Sequence, residues 1–280
     1  MSTTTGHALL HRETRGSGPD VALLHGWGLH GGIWHHVAED LAPRHRVHLL
    51  DLPGFGRSGW DKGCGDLEGM ARRVAEHLPH ECSLVGWSLG GMVALRIALL
   101  FPQRVRRLVL VATTPRFVAH RSWPHGVDPA TLAGFATHLA KDWRRTVQDF
   151  LGLQVRGDEH QLETLRELKR IVSQHGEPNG AALAAGLEIL RTVDLRDQLA
   201  RIRAPTLAIS GAYDRLTPPG AGEALAAAIP GARHWLVARA ASAPFLSHRA
   251  EFAREVDAFL ASPAPPALAA STTPARPAAP

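Results

Sequence analysis

Cysteine is nearly absent from this chain. Cys64 and Cys82 are its only two, which excludes a disulfide framework. Cys82 stands in an apolar run and is expected to be a small buried side chain. A reducing, cytoplasmic setting follows. Long hydrophobic runs are also missing. No stretch of about 18 apolar residues occurs, so no membrane-spanning helix is expected. Met1 to His11 are polar and lack the apolar centre of a signal peptide. A concentrated basic patch with aromatic platforms is lacking too, so the net charge of +5 and pI near 10 read as a solvated basic surface, not a nucleic-acid site. Nothing in the pattern asks for a metal or an organic cofactor.

What is present is enough apolar material for a large core. A chain of 280 residues at 45% hydrophobic content fits one α/β domain with an inserted subdomain. Its organising stretch is Leu84-Val85-Gly86-Trp87-Ser88-Leu89-Gly90-Gly91. An apolar strand-like run from Cys82 precedes it, and a helical run from Met92 to Leu100 follows. Gly-Trp-Ser-Leu-Gly between strand and helix is the pattern of a nucleophile elbow, a tight turn that presents a serine hydroxyl. Glycines are needed there because side chains would collide with the turn's own backbone. The backbone N–H of Leu89, at a helix start, can stabilise a developing oxyanion.

Along the chain, residues 7–15 read as opening β structure, a hairpin turning near residues 16–18. Val21 to Leu24 is a short apolar strand, ending in His25-Gly26-Trp27-Gly28. In this architecture a glycine-rich loop after an early strand supplies the second oxyanion donor, and the Trp27 N–H is the candidate. His25 is expected to shape that loop, not to act as a base. A helix over 31–41 and a strand over 47–50 follow. Asp51, in the Pro- and Gly-rich turn after that strand, is expected to fix its loop. A helix near 67–78, the elbow, and a strand over 105–112 continue the alternation, implying a parallel sheet with helices on both faces.

The rhythm then breaks. From 113 to 199 no convincing strand appears. Helical segments near 129–140, 142–153, 160–174 and 180–191 read as a lid over the site. The core, 1–112, resumes over 200–261 with strands near 204–210 and 234–237, and helices near 221–228 and 248–260. Residues 262–280 are almost entirely Pro, Ala, Ser and Thr and are expected to be disordered.

A serine nucleophile needs a base, and the base an orienting acid. In α/β hydrolases the chain order is Ser, Asp or Glu, then His. The loop after the strand at 204–210 contains one carboxylate, Asp214. The loop after the strand at 234–237 reads Ala238-Arg239-Ala240-Ala241-Ser242-Ala243-Pro244-Phe245 and contains no histidine. Ser242 stands where the base is expected. A serine hydroxyl cannot hold the transferred proton at neutral pH.

Six segments, 23–29, 51–58, 86–91, 150–154, 186–196 and 243–248, together resemble the pimeloyl-[acyl-carrier protein] methyl ester esterases of biotin synthesis, an α/β-hydrolase family. The resemblance covers about 7–260, lid included, and the lid segments are its most specific part. It implies Ser88 as nucleophile, Asp214 as acid, and the N–H groups of Trp27 and Leu89 as the oxyanion hole. It further implies that Phe150, Leu151, Gly152, Leu153 and Gln154 line the acyl pocket beside Trp27, Ser88 and Leu89. The family's histidine falls on Ser242. Members also carry a histidine at the position of His248, so His248 is not a relocated base. The implied partner is an acidic acyl carrier protein bearing the acyl chain, met by a monomer. Lys141, Arg144 and Arg145 stand at i, i+3 and i+4 and are expected to share a helix face, and Arg166, Lys169 and Arg170 repeat that spacing. Arg145, Arg166, Lys169 and Arg170 are the expected docking residues.

Two classes of function stay open at this point. One is a serine carboxylesterase slowed by the missing base, either an inactivated form of a working enzyme or a natural member that has lost activity. The other is a non-catalytic binding protein that captures acyl carriers or ligands under its lid. Within the hydrolases, a lactonase or carbon–carbon bond hydrolase shares the same elbow. Dehalogenase chemistry would need a carboxylate at position 88.

Overall fold

A computed structural model describes residues 9–263. The start of the expected opening β segment and nearly all of the Pro/Ala-rich tail lie outside the described residues.

The apolar runs form a sheet. Its strands are β1 (Arg12–Arg15), β2 (Asp20–Leu24), β3 (Arg46–Leu50), β4 (Cys82–Trp87), β5 (Val105–Val111), β6 (Thr206–Gly211) and β7 (Arg233–Val237). They lie in the order β1-β3-β2-β4-β5-β6-β7. Every pair is parallel except β1 with β3. Central β4 and β6 are buried at every residue, as expected when helices cover both faces. The expected hairpin at the N-terminus does not form. Both edges of β2 are occupied, by β3 and β4, so β1 takes the outer edge of β3. Gly16 and Gly18 carry the connection at φ 74 and 116, pressed against the backbone of Ala42 to His45.

After β2 the chain steps outward to β3, then crosses to the other side of β2 to make β4. The order reverses between β2 and β4, and at such a switch point the loops leaving the carboxyl ends of the two strands part and open a crevice. Residues 25–28 leave one of those strands and Ser88 leaves the other.

Outside the insertion, the helices are α1 (His35–Leu41), α2 (Leu67–Glu76), α3 (Leu89–Leu100), α8 (Pro219–Ala228), α9 (Pro244–Ser247) and α10 (Arg249–Ala261). Helix α3 is apolar on nearly all sides because it is enclosed by the sheet, α2 and α7. Between β5 and β6 come α4 (Pro129–Leu139), α5 (Trp143–Gln154), α6 (Gln161–Val172) and α7 (Gly180–Thr192). The only β pairing described there is two isolated bridges, Val118 with Val127 and His120 with Trp123. Side-chain oxygens of Asp128, Asp142 and Asn179 cap α4, α5 and α7. The Asp142 cap removes Lys141 from α5, so Lys141 does not share a helix face with Arg144 and Arg145. The insertion is closed at its root. The Leu195 N–H donates to Pro115 O at 2.9 Å, and Asp194 receives both Arg116 and Arg196 at 2.9 and 2.7 Å.

Candidate active site

Ser88 sits between β4 and α3 with φ 54 and ψ −118. That conformation costs a non-glycine residue roughly 1–3 kcal/mol and persists only where neighbours over-determine it. Here they do. The Ser88 N–H donates to Val111 O at 3.0 Å, and the Thr113 hydroxyl donates to Ser88 O at 2.8 Å. The flanking glycines are required by close approach. A Cβ on Gly86 would lie 2.4 Å from Gly90 O, and one on Gly90 would lie 2.4 Å from Leu24 O.

The loop after β2 is built by His25. Its Nε2 accepts the Leu52 N–H at 2.9 Å, so Nδ1 carries the proton and donates to Gly26 O at 2.8 Å. Complete burial pushes its pKa down to about 4, which keeps the ring neutral. Asp51 accepts the N–H groups of Gly31 and Arg57 at 2.6 and 2.9 Å, and so ties together the loops after β2 and β3. Both residues hold loops in place. The Trp27 backbone N–H, between them and Ser88, has no acceptor among the described residues. The Leu89 N–H lies in the first turn of α3, where helix amides lack intrahelical acceptors.

The insertion covers this loop. The Trp27 indole is buried, donates to Leu183 O of α7 at 2.8 Å, and packs edge-on against Phe150 at 5.0 Å. Phe135 of α4 meets the other side of Phe150 at 5.4 Å. Helix α5 turns Thr146, Val147, Phe150, Leu151 and Gln154 inward, the spacing of one helix face. Gly152 and Leu153 are half-buried beside them. Gln154 is anomalous on that face. Its side chain is buried, yet neither Oε1 nor Nε2 has a partner.

Asp214 lies in the loop after β6 and is fully buried. Oδ1 accepts the N–H groups of Leu216 and Thr217 at 2.8 and 3.0 Å, and Oδ2 accepts the Thr217 hydroxyl at 2.5 Å. Burial nevertheless raises its pKa above the usual carboxylate value, against the pull of Ser242, Thr217 and Leu216. Ser242 is brought to this carboxylate. Its hydroxyl is close enough to lower the Asp214 pKa but outside hydrogen-bonding geometry, so Oγ is buried without a partner. Its backbone is anchored on both sides. The Ser242 N–H donates to Gln154 O at 3.0 Å, and the indole N–H of Trp87, next to Ser88 in the chain, donates to Ser242 O at 2.8 Å. Asp214 and Ser242 are therefore neighbours, and Ser242 is tied through the Trp87 indole to the residue that precedes Ser88. His248 points elsewhere, toward Glu159 at 3.8 Å and the His160 ring at 5.7 Å. His234, on β7, meets Ser210 at 3.1 Å. Among the described residues no three His, Cys, Asp or Glu side chains stand together as metal ligands.

Sequence reasoning missed Thr113, Thr217 and Asp158. The Asp158 carboxylate, in the turn between α5 and α6, accepts the Ala241 N–H at 2.8 Å across 83 residues. Gly157-Asp158 signals a turn, but nothing local signals a contact so distant in sequence.

On the outer face of the insertion, Arg144, Arg145, Arg166, Lys169 and Arg170 are all exposed. Arg144 pairs with Glu177, Arg145 with Asp149 at 3.0 Å, and Arg170 with Glu167 at 2.5 Å. Among the described residues Arg166 and Lys169 have no acidic partner. Lys169 lines a cleft of about 340 Å³ with Trp143, Arg144 and Val147. Val147 reaches inward to the oxyanion loop, where a Cβ on Gly28 would stand 3.2 Å from it.

Comparison with known proteins agrees with this geometry. The alpha/beta hydrolase fold family matches residues 19–248. A pimeloyl-[acyl-carrier protein] methyl ester esterase from Nitrosomonas europaea is 44% identical over 251 residues, covering 90% of this chain and 99% of its own. The protein of that name from Yersinia pseudotuberculosis is 45% identical over 246 residues, covering 88% and 95%. Among solved structures, an esterase from Exiguobacterium antarcticum superposes with a TM-score of 0.84 at 23% identity, over 92% of this chain and 97% of its own, a likeness of fold. By sequence, fold and elbow, this chain belongs to the alpha/beta hydrolases and, among them, to the pimeloyl-[acyl-carrier protein] methyl ester esterase family.

Proposed function

We propose that this protein is a serine carboxylesterase that acts on the methyl ester of a pimeloyl group carried by an acyl carrier protein, with turnover held low by Ser242. The observation that carries the reading is Ser88, a non-glycine residue held at φ 54 in a strand-to-helix turn, while a buried carboxylate, Asp214, stands beside Ser242. The Ser88 hydroxyl attacks the ester carbonyl. The N–H groups of Trp27 and Leu89 receive the oxyanion, methoxide leaves and takes up a proton as methanol, and water then releases the acid from Ser88. Without a base the serine proton must go to solvent. Loss of a triad member lowers turnover by up to about 10⁶, while the oxyanion hole and binding still give roughly 10³–10⁴ over water.

Phe150 and Trp27 supply apolar surface for the acyl chain, with Leu151, Gly152, Leu153 and Gln154 along the same helix. The unpartnered Gln154 amide is a ready hydrogen-bonding group for a polar end of the substrate. Arg166 and Lys169, without an acidic partner among the described residues, are the cations best able to meet an acidic carrier, whereas Arg145 and Arg170 are already paired with Asp149 and Glu167. The cleft at Trp143 and Lys169 is lined in part by Val147, which lies beside Gly28.

Incubation with a pimeloyl methyl ester thioester, followed by mass spectrometry of the intact protein, tests the reading. Slow release of free acid, or an acyl adduct on Ser88 that is absent from Ser88→Ala, is expected. A protein that binds the thioester but yields neither product is the non-catalytic acyl-carrier binder that Ser242 otherwise favours.

A further inference from the structure

The loop that presents position 242 does not stand on its own. Arg239, at its start, is held at φ 61, a left-handed conformation that a non-glycine residue keeps only when its surroundings enforce it. The enforcing surface is the turn between α5 and α6. Glu159 donates its N–H to Arg239 O at 3.0 Å, and the Ser242 N–H donates to Gln154 O at 3.0 Å. Between these two bonds, where a ladder would need a third backbone acceptor, Asp158 supplies a carboxylate. Its Oδ2 accepts the Ala241 N–H and its Oδ1 accepts the His160 N–H, both at 2.8 Å. Asp158 is buried. A carboxylate suits this place because two N–H donors converge on its two oxygens; an amide would turn an NH₂ group toward one of them. Outside, the Arg239 guanidinium meets Glu159 at 2.8 Å.

We propose that Asp158 is the positioning residue for position 242, so that the α5–α6 turn of the insertion and the base loop behave as one body. The inference rests on reading 242 as the base position. Asp158 touches neither substrate nor nucleophile. It acts through the backbone of Ala241, one residue from the side chain that must align with Asp214. The ordinary alternative is that Asp158 merely starts α6 through His160. The two roles predict loosening in different places.

Hydrogen exchange on the unaltered chain and on Asp158→Asn separates them. The positioning role predicts exchange at Ala241 and Ser242 at least about tenfold faster, with α6 protected as before. Faster exchange confined to α6, or no change at 241–242, overturns it. A second measurement uses Ser242→His. Adding Asp158→Asn there is expected to lower kcat for p-nitrophenyl butyrate by roughly 10–100-fold, with KM within about threefold, since a 1 Å misplacement of a reacting group can cost about 10². Unchanged kcat, or a matching rise in KM alone, overturns the proposal. If Ser242→His itself is inert, the esterase reading fails and the exchange pattern alone decides the role of Asp158.

Discussion

On the proposed reading, replacing Ser242 with histidine supplies the group the site lacks, and the geometry around position 242 sets the size of the effect. Position 242 is fixed by its bonds to Gln154 O and from Trp87 Nε1, so a new side chain starts from a defined backbone. Asp214 is already buried and oriented by three bonds. Removal of the base in a related mechanism costs about 10⁶ in turnover, or roughly 8 kcal/mol of barrier. Restoration should recover much of that, and a gain of about 10³–10⁶ is expected. The lower bound allows for a ring larger than serine having to fit at a buried position. Overpacking costs roughly 1–3 kcal/mol of stability, and relief of the orphaned Ser242 hydroxyl returns about 1–3, so the melting temperature should move little. The assay is hydrolysis of p-nitrophenyl butyrate from pH 5 to 9, with Ser88→Ala as control. The gain should grow as pH rises through the imidazole pKa, since only the neutral ring accepts the serine proton. A folded Ser242→His protein whose rate stays within tenfold of the parent, or whose gain survives Ser88→Ala, would refute the reasoning.

His25 is held neutral with its pKa near 4, whereas the unfolded chain binds that proton below about pH 6.5. Its contribution to stability should therefore fall by about 3 kcal/mol as pH drops from 6.5 to 4, and His25→Asn should flatten that limb in urea unfolding. Asp194 is depressed to about 2 by Arg196 first, opposed by its burial and aided by Arg116. Its stabilisation is present above about pH 4 and lost as pH falls toward 2; Asp194→Asn should remove that acid dependence and increase proteolysis at the root of the insertion. Gly90→Ala should cost at least about 1–3 kcal/mol in thermal unfolding, because its Cβ would press on Leu24 O and His25 O. Arg166→Glu with Lys169→Glu should slow association with acyl carrier protein by about tenfold at low salt, a difference that closes near 1 M salt; salt-independent binding would remove these residues from the docking surface.

The sheet and the helices of the insertion were legible because their signals are local. Apolar runs of strand length gave the strands, and Asp142 and Asn179 sit at helix starts as capping rules require. Edge pairing was not legible. Residues 12–15 look the same whether they turn back on β2 or cross to β3, and only occupancy of both β2 edges decides. Lys141 was misplaced on a helix face because spacing was counted through a cap. The turn that carries Ser88 and the loop that carries Asp214 were legible from chain order, whereas the Asp158 contact depends on tertiary packing that no local pattern encodes.

The strain at Ser88 bears on which open reading is the stronger. A binding protein needs a cleft, and the one at Trp143, Val147 and Lys169 is lined without Ser88. It does not need a serine at φ 54, a carboxylate buried until its pKa rises, or an orphaned hydroxyl at position 242. The strain at Ser88 and the orphaned Ser242 hydroxyl each cost on the order of 1–3 kcal/mol, and each would be relieved by a simple change: glycine at 88, alanine at 242. Together the three features fit the proposed reading of a triad that lacks its ring. On the proposed reading, a single side chain separates this site from a full complement of catalytic groups.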